Sequence, residues 1–240
     1  MKYFIAIMLY FIFWAVTAAN GFSSQMKTTK PISEEGTAMY SGNTNIREQV
    51  ELLESLGISG MNESEIMELE NSWDSMPEEV RDSLNMTAMA LSTMGRGSYD
   101  YQTGIWTPTS NVVYSFDMEI FDISKMFTTF LQGIASISNN EFEITQVTEN
   151  SNQVNEEQGT GKQTVSFCYN SHQYTFEGNL NNDWFDTNFF SFMNQVLSTE
   201  KNSKKLFFLS DGYQDCIVFY NTEEWARQFT EKTGCTLYMQ

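Results

Sequence analysis

The chain has 240 residues, 41% of them hydrophobic and 15% aromatic, which is enough apolar side chain for one or two folded domains and excludes a wholly disordered tail. With 31 acidic against 13 basic side chains the net charge is −18, which argues against a direct grip on nucleic-acid phosphates. The single histidine, His172, excludes zinc sites and peptidase mechanisms that need two, and no metal or cofactor is expected.

Residues 3–19 are apolar except for Thr17, follow Lys2 and end in the small residues Ala18 and Ala19, with Gly21 just beyond. Residues 1–25 therefore read as a signal peptide or a short membrane anchor through residues 3–19, which would make the protein exported or membrane-anchored. The alternative is an N-terminal extension of a cytoplasmic chain starting at Met26. Cys168, Cys216 and Cys235 are too few and too scattered for a disulfide-stapled secreted domain.

Residues 26–44 have the composition of a linker, and from residue 45 to about 95 the apolar period is helical. Asn45 with Glu48 and Asn62 with Glu65 are capping boxes, and Pro77 followed by Glu78 and Glu79 opens a third helix that runs through Leu91 and Met94 to Gly95. Eleven acids against Arg47 and Arg81 lie between residues 47 and 82, so much of the negative field belongs to this helical subdomain.

Residues 96–240 read as an α+β domain. An aromatic loop with Tyr99, Tyr101 and Trp106 leads into a strand from Val112 to Ile120 with one polar face, and Asp122 is placed to cap a helix carrying Phe127, Phe130 and Ile134. Strands follow at 142–147, 165–169 and 174–176, with 149–162 as a polar loop and a turn at Asn170-Ser171-His172. A helix capped by Asp186, a hairpin across Asp211-Gly212, a helix capped by Asn221 and ended by Gly234, and a short terminal strand complete the chain. Hairpins outnumber crossovers, so the expected fold is α+β: an N-terminal helical subdomain, then a mostly antiparallel sheet packed against three helices.

No catalytic motif stands above background. Gly159-Thr160-Gly161-Lys162 lacks the first glycine of a phosphate loop and leads into a strand, where backbone N–H groups cannot converge on an anion. Asp117 and Glu119, two apart on a strand, are weak candidates for acid/base or metal chemistry, and His172 is weaker still. Tyr99, Tyr101, Trp106, Trp184 and Tyr213, near loop ends, are candidates for a binding surface. The reading these features favour is a non-enzymatic protein-interaction module, immunity- or adaptor-like by analogy alone, whose acidic surface steers toward a basic protein partner. A hydrolase or metal-dependent enzyme using Asp117 and Glu119 is one alternative, and an extracytoplasmic glycan- or surface-binding domain is another.

Overall fold

Asn45 and Asn62 each accept the backbone N–H three residues on, while Glu48 and Glu65 reach back to the cap's own N–H. These boxes start α1 (Ile46–Ser55) and α2 (Glu63–Ser75) in the computed structural model, which describes residues 30–31, 45–82, 84–100, 102–103 and 105–240. The targeting segment expected at residues 1–25, most of the 26–44 linker and Tyr101 lie outside the described residues. The third expected helix is two: α3 (Glu78–Arg81) and α4 (Met86–Gly95). The break has a chemical cause, since the Asn85 side chain accepts the Ala88 N–H and begins a new helix.

The remaining elements are the ribbon β2 (Ser98–Asp100) and β3 (Ile105–Thr107), β4 (Tyr114–Asp117), α5 (Met126–Ser136), β5 (Thr145–Asn155), β6 (Thr160–Tyr169), β7 (His172–Asn181), α6 (Asn188–Thr199), β8 (Lys205–Ser210), β9 (Asp215–Asn221), α7 (Glu223–Thr233) and β10 (Tyr238–Met239), with β1 at Lys30–Pro31. Every strand pair is antiparallel. The central sheet runs β1-β10-β8-β9-β4 and a second runs β5-β6-β7. Helices plus mostly antiparallel sheets make this the expected α+β class.

Several local expectations are corrected. Asp122 does not cap a helix backbone; it precedes a short 3-10 turn, Ile123–Lys125, and the N-terminus of α5 is served by Glu149, which accepts the Phe127 and Thr128 N–H groups and the Thr128 hydroxyl. Thr222 rather than Asn221 caps α7, through its hydroxyl to the Trp225 N–H. The strand expected over Val112–Ile120 is ordered as β4 only to Asp117, whose Oδ1 accepts the Glu119 N–H and bends the chain. Its polar face is open to solvent only at the end: Ser115 is buried, whereas Asp117 is exposed. The polar stretch 149–162 is largely strand, because it forms the exposed rim of a three-stranded sheet that needs apolar residues on one face alone.

Layering follows from alternation along β8 and β9. Leu206, Phe208, Cys216, Val218 and Tyr220 point to one side, where α5 and α6 lie. Phe207, Leu209, Ile217 and Phe219 point to the other, where α1, α4 and α7 supply Ile46, Val50, Leu53, Leu91, Ala226 and Phe229. The helices of residues 45–95 thus share a core with the sheet. On the first side, α5 and α6 are covered in turn by β5-β6-β7 through Phe127 against Phe176 and Phe189 against Phe176, with ring centroids 5.4 and 5.0 Å apart. No helix among the described residues is long and apolar enough to cross a membrane.

Helix α4 approaches β4 so closely that a Cβ added to Gly95 would lie 2.7 Å from the Ser115 backbone nitrogen. Gly95→Ala is expected to cost about 2 kcal/mol of stability by overpacking, measured by urea denaturation; an unchanged midpoint would refute this close approach.

Candidate functional site

The ends of the central strands gather an acidic cluster. Asp117 ends β4 and sits directly across from Asp215, the first residue of β9. Asp211, just after β8, accepts the N–H groups of Tyr213 and Asp215 on Oδ1, which fixes the β8–β9 turn, with Gly212 at φ +89°. Arg96, following α4, donates to Asp215 at 2.6 Å, and the Ser92 hydroxyl donates to the same carboxylate. Asp211 and Asp215 are only 8% and 7% exposed.

One guanidinium facing three carboxylates leaves excess negative charge in a partly dehydrated place. Burial, then the neighbouring Asp215 charge, push the Asp211 carboxyl up to about 7. Asp117 keeps contact with solvent, yet loss of hydration together with the Asp215 and Glu119 charges raises it to about 6, against the Glu119 N–H bond that favours its charged form. Glu119 itself accepts a hydrogen bond from the Gln214 side chain. A groove of about 390 Å³ leads from this cluster between α2 and α4, past Glu65, Glu68, Leu69 and Met89. It joins the cluster to the acidic helices, where Arg47 is already held by Glu63 at 2.6 Å and Glu70 at 3.0 Å.

Beside the cluster lies an aromatic corner. The Trp106 indole donates to the Arg96 carbonyl at 2.9 Å and its ring meets Tyr114 edge-on at 5.4 Å, which seats the β2–β3 ribbon on β4. A groove of about 420 Å³ separates the ribbon from α5, lined by Tyr99, Ile105, Trp106 and Pro108 on one side and by Lys125, Thr128 and Gln132 with Asp122 on the other. The loop after β4 is pinned to the loop after β7, with the Ile120 N–H on the Asp183 carbonyl at 2.6 Å and the Phe185 N–H on the Met118 carbonyl at 2.8 Å. From this fixed loop Phe121 projects 92% exposed. Ile105 is 58% exposed, and Tyr99 and Tyr213 are exposed as well.

Of the residues singled out in the sequence, Tyr99 and Trp106 line one groove, Tyr213 borders Asp117 and Asp211, and Trp184 sits opposite Glu119 in the paired loops. His172 is not among them. It begins β7 in the other sheet, where its Nδ1 lies 2.7 Å from Glu200, beside Asn170 and Tyr174 on the same carboxylate. These bonds hold the Glu200 carboxyl below its usual range and tie the β6–β7 hairpin to the end of α6. No group of three or more His, Cys, Asp or Glu among the described residues has the spacing to hold a metal ion. Sequence reasoning missed Asp211, Asp215 and Arg96, which are brought together from three separate elements, and Phe121, an aromatic next to an acid in a loop. No protein-family model, curated protein or solved structure matches the chain.

The raised Asp211 carboxyl sets a sign for the pH dependence of stability. The folded protein keeps a proton on it at pH values where the unfolded chain, near 3.9, has lost it. Its contribution is therefore greatest below about pH 4 and declines until pH rises past about 7. Asp211→Asn keeps the acceptor for the two N–H groups and removes the charge. It is expected to stabilise the protein by roughly 2–4 kcal/mol at pH 8 and to change little at pH 4, measured by denaturant unfolding across pH; equal effects at both values would overturn the assignment.

Proposed function

We propose that this protein is a non-enzymatic interaction module that recognises a basic protein partner at the corner where β4 ends. The observation that carries the reading is Phe121, an aromatic side chain 92% exposed on a loop locked by backbone hydrogen bonds. Ordering such a side chain in an interface costs little, because its backbone is already fixed, and central aromatics of this kind dominate binding energies. Ile105 and Tyr99 line a groove whose opposite wall includes Asp122, the residue next to Phe121 in the chain.

Charge selects the partner. Asp117, Glu119, Asp122, Asp211 and Asp215 surround the corner, against Arg96 and Lys125, each of which is paired with one of those acids. The acidic helices α1 and α2 extend the same sign of field through the groove that Glu65 and Glu68 line. Such a field speeds the approach of a basic protein and repels acidic ones, while the apolar groove holds what arrives. The carboxylates a hydrolase would need have other partners: Asp117 accepts the Glu119 N–H and Glu119 holds Gln214.

The test is comparative cross-linking in the native cell, followed by titration of the recovered partner. A basic protein captured by the wild type is expected to bind Phe121→Asp about 30-fold more weakly, and to bind the wild type more weakly as salt rises. A partner that binds both forms alike, or whose affinity ignores salt, would place recognition elsewhere.

A further inference from the structure

Asn170 and Ser171, at φ +49° and +66°, form a two-residue turn that closes the pair Tyr169 and His172. In such a hairpin the closing pair is hydrogen-bonded, so alternate residues from His172 to Leu180 turn their backbone groups toward β6. Gln173, Thr175 and Glu177 therefore turn theirs to the opposite side, and all three are exposed. The next outward N–H, that of Asn179, is taken by Asp186 at 2.9 Å. Among the described residues no strand lies beyond β7.

The two edges of this sheet are treated differently. Edge strand β5 is interrupted by register shifts between Thr145 and Thr148 and between Asn150 and Gln153, contains Gln146 at φ +54°, and is joined to the start of α5 through Glu149. Bulges and cover are how monomeric sheets keep other strands from adding to them. Among the described residues strand β7 has neither over Gln173–Glu177: its register with β6 is unbroken for ten residues.

We propose that β7 pairs with β7 of a second copy of this chain, antiparallel about a two-fold axis through Thr175, joining two three-stranded sheets into one of six strands. Two-fold symmetry is satisfied by antiparallel pairing of a strand with itself, and this register forms roughly six inter-chain backbone hydrogen bonds. Thr175 then faces Thr175, and Gln173 faces Glu177, so no like charges are opposed. A two-fold centred on Glu177 would set two carboxylates against each other.

Charge favours the same face. Two molecules of net charge −18 repel, and the strongly acidic α1 and α2 lie beyond the central sheet, separated from β7 by that sheet and by α5 and α6. Around Thr175 the outward residues are Ser166, Thr164, Gln173 and Asn179, and the nearby acids are each engaged, Glu177 with Lys162, Asp186 with the Asn179 N–H, and Glu200 with His172 and Tyr174. The two copies thus meet away from the strongly acidic helices.

Sedimentation velocity of the full chain under reducing conditions tests this. The wild type is expected to sediment as a dimer at about 100 µM, as befits a small interface. Thr175→Lys, which sacrifices only an exposed hydroxyl contact with Ser166, is expected to be a monomer with an unchanged circular dichroism spectrum. Gln173→Lys, facing Glu177, should tighten the dimer about 3- to 10-fold and Gln173→Glu should weaken it by a similar factor. A monomeric wild type, a dimeric Thr175→Lys, or a Gln173→Lys dimer no tighter than that of Gln173→Glu would overturn the proposal.

Discussion

Phe189 and Phe190 are neighbours on α6, yet they serve two different sheets. Phe189 meets Phe176 of β7 at 5.0 Å and Phe190 stacks on Phe208 of β8 at 4.1 Å. A helix that must be apolar on two sides has to lie between two layers, and the rest of the architecture follows from that. Helix α5 shares the position, with Phe127 toward Phe176 and the Phe130 ring centroid 5.4 Å from that of Phe116 in β4. The central sheet, with this layer on one face, must then bury its other face under α1, α4 and α7, which is why β8 and β9 carry no polar face at all. Aromatic rings are suited to this arrangement because edge-on and stacked contacts each add to the area they bury.

The same constraint explains where the polar chemistry collects. Strands buried on both faces can place charge only at their ends, and Asp117, Asp211 and Asp215 all occupy strand ends around one turn. Helix α4 supplies Ser92 and Arg96 there because Gly95 lets its last turn press against β4. Without the guanidinium, Asp215 would be an uncompensated buried carboxylate, which is among the more destabilising features a protein can contain. The corner is thus set by the packing of the core, and its exposed aromatics are held by that same packing.

Local chemistry made much of this fold legible in the sequence. The capping boxes at Asn45 and Asn62, the turn at Asp211-Gly212 and the left-handed Gly234 act over a few residues, and each stands where its pattern predicts. What pattern could not supply was distance. Asp122 looks like a cap, but Glu149, on β5 and more than twenty residues further along the chain, takes the N–H groups instead. Asn85, which divides the third helix in two, sits in a continuous helical period and is visible only as a competing cap. The acidic character and the aromatics Tyr99 and Trp106 could be read directly. The Asp117, Asp211, Asp215 and Arg96 cluster could not, because its members come from β4, β8, β9 and α4, which touch only after folding.

The strand order β1-β10-β8-β9-β4 has a consequence for how the molecule is presented. Lys30–Pro31 form one outer strand of that sheet and β4 the other, four strand spacings apart, or roughly 19 Å. Lys30 and Pro31 therefore mark the edge of the central sheet opposite the one that leads into Phe121.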